Sequence, residues 1–202
     1  MKKKIAFDID LVCTDDLGQR WWNYLTDMFY DCQTDAQYYQ FVQDYANNAA
    51  DYNLTKYFDL PWWIDTMLFW KQEDLYDSED LAEGCYDVVK NLWQAGFEIY
   101  FVSVTEVEHM KSKKDFLIRN FDFLDKVNFI ATDTKDCMDG CFAFIDDRME
   151  NINGIEDENT LRILFDTPYK QDVESTQDYK LAKNWQDVED FICDKMGDNF
   201  DN

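Results

Sequence analysis

Lys4-Ile5-Ala6-Phe7-Asp8-Ile9-Asp10 is the stretch from which the rest of the chain can be read. Three apolar residues in a row, entered from lysine and closed by carboxylates, read as a short buried strand that ends in acid. Asp8 and Asp10 form the one Asp-x-Asp pair in the sequence. Alternate residues of an extended segment share a face, so both carboxylates would address one ligand. In so acidic a chain such a pair, taken alone, fits a solvated strand end better than a site.

Further apolar runs follow downstream. Glu98-Ile99-Tyr100-Phe101-Val102-Ser103-Val104 has strand character and comes after Gly96, which would stop a helix over Asp87 to Trp93. Val127 to Ile130, Cys141 to Ile145 and Leu161 to Phe165 are the next short runs. Helical patterns over Lys113 to Phe121 and Trp185 to Met196 lie among and after them. Strands alternating with helices predict a doubly wound, Rossmann-like parallel sheet covered on both faces. Between the first two strands lies a segment rich in Trp, Tyr, Phe and Asp but poor in β-branched residues. A structureless loop of that length is implausible in a compact domain, so helix is expected there. The predicted organisation is an α/β core of residues 1–16 and 81–202 with a small helical cap, residues 17–80, inserted after the first strand.

Composition narrows the chemistry. The 202 residues suffice for one core with a modest insertion, and 46% hydrophobic content supports a packed interior. No apolar run approaches the roughly 20 residues of a membrane-spanning helix. The basic start at Met1-Lys2-Lys3-Lys4 is followed by only Ile5-Ala6-Phe7 before Asp8, too short for a secretory signal, so a cytoplasmic protein is expected. The six cysteines include no Cys-x-x-Cys pair and are read as reduced, packed residues. A formal charge of −24 repels polyanions and argues against long nucleic acid as a partner. With one histidine, His109, neither a Ser-His-Asp triad nor a multi-histidine metal centre is expected. Catalysis would rest on carboxylates, hydroxyls, lysines and a hard cation.

Three more polar elements follow hydrophobic runs. Ser103 closes the second strand, where it would cap the strand or donate to a phosphate oxygen. Lys135, in Thr132-Asp133-Thr134-Lys135, lies between acidic neighbours and taken alone reads as a solvated loop lysine. Asp146 and Asp147, in Ile145-Asp146-Asp147-Arg148, repel one another and raise each other's pKa unless a cation is present. That is the local signature of a Mg²⁺ site.

The order Asp-x-Asp, Ser, Lys, Asp-Asp is more specific than any member. It resembles the haloacid dehalogenase-like phosphatase superfamily, and within it most closely the 5'(3')-deoxyribonucleotidases of bacterial and phage type. Asp74-Leu75-Tyr76-Asp77 with Glu83-Gly84-Cys85 looks like that family's approach to its second motif. Lys113-Lys114-Asp115-Phe116-Leu117 looks like its Lys-x-x-aromatic-aliphatic helix. Thr132 to Lys135, Phe144 to Arg148, and Arg162 to Tyr169 with Asn184-Trp185 resemble its later motifs. The likeness spans most of residues 4–192 and is weakest in the cap. Two positions depart: Leu11 stands where the family usually has glycine, and Asp16 where it has an aromatic that packs on substrate.

The resemblance implies a Mg²⁺-dependent hydrolase of nucleoside monophosphates with Asp8 as nucleophile and Asp10 as general acid–base. Asp8, the main-chain carbonyl of Asp10 and Asp147 would hold the metal, with Asp146 supporting directly from behind or through water. Ser103 and Lys135 would bind phosphate, with Lys113 a further candidate that could equally pair with an acid on its own helix. Trp21, Trp22, Trp62, Trp63 and Trp70 would mostly form the cap's own core. Trp62, Trp63 and Phe69 are the first candidates to line a substrate pocket, and His109 is read as a loop residue and only a secondary candidate for substrate contact. The partner implied is a small nucleotide; a homodimer is compatible with it.

Overall fold

The computed structural model describes residues 2–198; Met1 and residues 199–202, the outer ends of the expected core, lie outside them. Six strands form one sheet in the order β3-β2-β1-β4-β5-β6: β1 (Lys4–Phe7), β2 (Glu98–Ser103), β3 (Asn128–Ala131), β4 (Ala143–Asp146), β5 (Leu161–Phe165) and β6 (Lys180–Ala182). Every pairing is parallel. β1 is central, with Ile5 opposite Ile99 on one side and Ala143 on the other. The chain builds outward from β1 through β2 to β3, then restarts on its other flank at β4. In such sheets ligands bind outside the carboxyl ends of the strands at that reversal.

Two-residue periodicity divides the strand side chains between two cores. Ile5, Phe7, Ile99, Phe101, Ala143, Ile145, Ile163 and Phe165 face one side, with residues of α3 (Cys85–Gln94), α4 (Met110–Asn120) and α6 (Trp185–Asp198). Ala6, Val102, Phe144 and Leu164 face the other, under α5 (Met149–Asn153). Strands buried on both faces read as continuous apolar runs, which is how they were legible in the sequence. β6 gave no such signal: of Lys180, Leu181 and Ala182 only Ala182 is buried.

The segment between β1 and α3 departs in part from the all-helical expectation. It contains α1 (Leu17–Met28), α2 (Asp35–Ala46) and two short 3₁₀ turns, Tyr30–Cys32 and Leu54–Tyr57. Thr34 starts α2 with a reciprocal capping box, its hydroxyl accepting from Gln37 N–H and its own N–H donating to the Gln37 side chain. Residues 58–84 instead run through successive turns, among them Ile64 N–H to Pro61 O (3.0 Å) and Asp77 N–H to Asp74 O (3.0 Å). Pro61 bars helix across its own position, and Asp65 accepts from Met67 N–H (3.0 Å), a local bond that competes with helix.

A third apolar cluster gathers Trp22, Leu25, Phe41, Ala50, Leu54, Tyr57 and Phe58 of the insert around Tyr169 of the core. Trp22 stacks on Phe41 at 3.5 Å between centroids. The sequence suggested that most of the tryptophans serve this cluster, but Trp70, like Phe69, packs with the main core, Trp21 packs against both, and Trp62 and Trp63 face solvent. Among the described residues no helix is long and apolar enough to cross a membrane. All six cysteines are free.

Candidate active site

The sequence places carboxylates after β1 and β4, a hydroxyl at the end of β2 and a lysine beyond β3; parallel register brings these ends together. β1 ends at Phe7, one residue before the pair, so Asp8 and Asp10 are not alternate residues of a strand as expected. The chain turns at once: Cys13 N–H (2.8 Å) and Thr14 N–H (3.1 Å) both donate to Ile9 O, and Leu11 takes a φ of +61°. That left-handed conformation is the one glycine favours. The Leu11 N–H is satisfied by Thr14 Oγ1 (2.9 Å), so the loop keeps its shape despite the side chain.

This turn sends the two acids to different partners. Asp8, 5% exposed, is anchored by its N–H on Ile145 O (2.8 Å). Its Oδ1 accepts from Ile9 N–H (2.7 Å) and pairs with Lys135 Nζ (2.7 Å). Lys135 also donates to Asp146 Oδ2 (2.7 Å). The other Asp146 oxygen accepts from Arg148 N–H and Asn151 Nδ2, each at 2.9 Å. Asp147 Oδ2 accepts from the Tyr52 hydroxyl (3.0 Å). Asp8, Asp146 and Asp147 each offer an oxygen within 4.8 Å of the others, and all three are buried.

Asp10 joins a second group. Its Oδ1 accepts from the Tyr76 hydroxyl (2.6 Å) and its Oδ2 from Lys113 Nζ (2.8 Å), with Ser103 Oγ at 3.4 Å. Lys113 also donates to Ser103 Oγ (2.8 Å). The Asp10 side chain is therefore not one of the three clustered carboxylates. Lys113 is fully buried and pairs with Asp10, 103 residues away in sequence, whereas its neighbour Lys111 pairs with Asp115 on the same helix.

Electrostatics separate the two groups. Burial, aided by Asp146 and Asp10 and opposed by Lys135, lifts the Asp8 carboxyl from its ordinary 3.8 to about 7. Burial, then Asp146 and Asp8, push Asp147 well above the carboxylate range. For Asp10 burial also pushes upward, but Lys113 and the Tyr76 hydrogen bond outweigh it and the carboxyl ends below its ordinary value. Burial would lower Lys135, yet Asp146 and Asp8 raise it and hold it charged. Were all four carboxylates ionised, two lysines would leave two negative charges without a partner; the raised Asp8 and Asp147 express that deficit, which a divalent cation would fill. Oxygen-only donors suit a hard ion, and opposite ligands of Mg²⁺ lie about 4 Å apart, close to the spread of these oxygens. The cluster is compatible with such a metal.

The remaining candidates lie elsewhere. Phe69, proposed for a substrate pocket, is 3% exposed and packs on Tyr24 and Trp70, so it belongs to the core; a phenyl ring finds more apolar surface there than at a mouth. Trp62 (91% exposed) and Trp63 (67%) project into solvent, edge to face with each other at 5.8 Å. His109 is buried rather than in an open loop, with Nδ1 2.6 Å from Trp70 O and its ring edge-on to Tyr76. Asp16 is exposed at the start of α1. Sequence reasoning gave no role to Tyr52 or Tyr76, whose partners Asp147 and Asp10 lie 95 and 66 residues away; Tyr76 stands in the family-like Asp74–Asp77 stretch, but nothing local marks Tyr52.

Solved structures share this architecture. A HAD-superfamily hydrolase from Ehrlichia chaffeensis is 14% identical, with a TM-score of 0.57 over 97% of this chain and 99% of the other. YfnB from Bacillus subtilis, a HAD-type hydrolase bound to magnesium, is 13% identical, with a TM-score of 0.57 over 95% and 98%. A predicted phosphoglycolate phosphatase from Haemophilus somnus is 14% identical, with a TM-score of 0.56 over 94% and 97%. At these identities the likeness concerns the fold. Curated protein sequences gave no match. Residues 2–196 match the family described as "5' nucleotidase, deoxy (Pyrimidine), cytosolic type C protein", and the chain is a phosphatase that belongs to that family.

Proposed function

We propose that this protein is a cytoplasmic Mg²⁺-dependent phosphatase that dephosphorylates deoxyribonucleoside monophosphates through an aspartyl phosphate on Asp8. The observation that carries it is the buried cluster of Asp8, Asp146 and Asp147, the first two paired with Lys135, beside a separate Asp10–Lys113–Ser103 group. Asp8, Asp147 and Asp146 would hold the ion; the backbone carbonyl of Asp10 completes the same proposal. A bound Mg²⁺ would keep Asp8 ionised and offset the charge of the substrate phosphate.

The chain's own groups supply the rest. Both Asp8 contacts named above fall on Oδ1, which leaves Oδ2 as the attacking atom. Attack forms the Asp8–phosphorus bond and breaks the bond from phosphorus to the sugar oxygen, to which Asp10 gives a proton. Asp10 is ionised at rest. Arrival of a dianion beside Lys113 and Ser103 draws their hydrogen bonds away, and Asp10 then takes up from solvent the proton that it gives to the leaving oxygen. Water then attacks phosphorus, Asp10 takes its proton, and the Asp8–phosphorus bond breaks to release inorganic phosphate. Lys135, Lys113 and Ser103 steady the phosphoryl oxygens as charge shifts among them. Trp62 and Trp63, both exposed, would be the aromatic surface offered to a base. The charge of −24 favours a small nucleotide over a nucleic-acid end.

Asp8→Asn should abolish Mg²⁺-supported hydrolysis of dUMP while circular dichroism stays unchanged, and EDTA should silence the wild type until Mg²⁺ is returned. Wild-type turnover by the variant would sink the scheme. A panel of deoxyribonucleotides, ribonucleotides and sugar phosphates decides the substrate.

A further inference from the structure

The clustered carboxylates are not surrounded by core residues alone. One contact comes from the segment inserted between β1 and α3, and several independent bonds hold that contact in place. Ala50 pairs with the chain just beyond β5, its N–H donating to Pro168 O (3.1 Å) and its O accepting from Lys170 N–H (2.8 Å). Buried Asp51 takes Lys56 of the insert (2.6 Å) and Lys170 of the core (3.1 Å) on one oxygen. Tyr52 follows, its ring stacked on Tyr169 at 5.1 Å with the planes 25° apart.

From this fixed point the Tyr52 hydroxyl lies 2.7 Å from Asp147 O and 3.0 Å from Asp147 Oδ2. A hydroxyl has one proton, so it cannot fully serve both. Gln171 resolves the competition: its Nε2 donates to the same Asp147 carbonyl at 2.8 Å, while its Oε1 accepts from Met149 N–H at 2.7 Å and fixes which end of the amide points inward. With the carbonyl satisfied, the Tyr52 proton is available to the carboxylate.

We infer that Tyr52 is a positioning residue for Asp147, so that docking of the inserted segment and cation binding at the carboxylate cluster are coupled. It rests on the reading of Asp147 as a cation ligand. An outer hydrogen bond to one carboxylate oxygen orients the other towards the ion, and loss of such partners usually weakens metal binding about 10–100-fold. Coupling is reciprocal: if the insert must sit down for Tyr52 to hold Asp147, the bound ion must in turn hold the insert down.

Tyr52→Phe tests this, because it keeps the ring on Tyr169 and removes only the hydroxyl. Calorimetric titration of the full chain with Mg²⁺ should give an affinity about tenfold or more below wild type. Hydrogen exchange across residues 47–58 should slow on Mg²⁺ addition in the wild type and not in the variant. A purely structural role would lower the melting temperature in EDTA and leave Mg²⁺ affinity as it was, which would overturn the inference. Asp147→Asn separates the two levels. If it loses Mg²⁺ binding while Tyr52→Phe retains wild-type affinity, the role of Tyr52 alone falls. If Asp147→Asn binds Mg²⁺ like the wild type, the metal-site reading falls and the role of Tyr52 with it.

Discussion

Leu11 holds a φ of +61° in the turn that follows the second acid of the Asp-x-Asp pair. A left-handed conformation costs an L-residue about 1–2 kcal/mol. Its side chain, half-buried against the cluster that joins Trp22 and Tyr169, recovers part of that cost. These terms order two substitutions in an unusual way. Leu11→Gly removes the strain and the burial together and should stay within about 1 kcal/mol of wild type. Leu11→Ala keeps the strain, loses most of the burial and should destabilise by about 1–2 kcal/mol. Urea denaturation of the three proteins checks the order; an alanine variant more stable than the glycine variant would show that the positive φ is not maintained. The motif predicted where the acids lie, but their division between two partner sets came from the end of β1 at Phe7 and from the distant lysines that each acid meets.

Among the elements, the segment just before α3 is clamped from two sides. Arg119 of α4 donates to Tyr76 O and Glu79 O, each at 3.1 Å. Arg20 of α1 forms an ion pair with Glu79 and donates to Leu75 O (2.9 Å). The clamp fixes the backbone from which Tyr76 reaches Asp10. Burial, aided by Asp16 and opposed by Arg20, raises the Glu79 carboxyl from 4.5 to about 7. A folded-state pKa above the unfolded one means that the folded protein binds the extra proton. The stability this contributes is complete below about pH 4.5 and is lost as pH rises through about 7. Glu79→Gln removes that titration, so its melting temperature relative to wild type should climb between pH 5 and 8. Parallel pH series of thermal melts measure the difference, and a constant offset would show that Glu79 is not held in its raised state.

For the molecule as a whole, the formal charge of −24 is the dominant field. Acidic side chains on one small body repel, and salt shortens the range of that repulsion from about 30 Å at 0.01 M to about 3 Å at 1 M. Melting temperature in EDTA should therefore rise by several degrees as NaCl is raised over that range; a flat or falling response would mean that local ion pairs such as Lys56–Asp51 outweigh the net field.

What could be read without coordinates was whatever leaves a local trace. Short apolar runs gave five of the six strands and their parallel pairing, although β3 is only partly buried, and Gly96 marked the end of the helix before β2. Asp8, Ser103, Lys135, Asp146 and Asp147 stood out because each follows such a run. Tertiary structure alone assigned Lys113 to Asp10, brought Tyr76 and Tyr52 to the acids, moved Phe69 into the core and turned residues 58–84 away from helix. The physical reason is distance along the chain. A strand or a helix is specified by neighbours a few residues away, whereas a hydrogen bond between residues 52 and 147 depends on how separately formed elements pack.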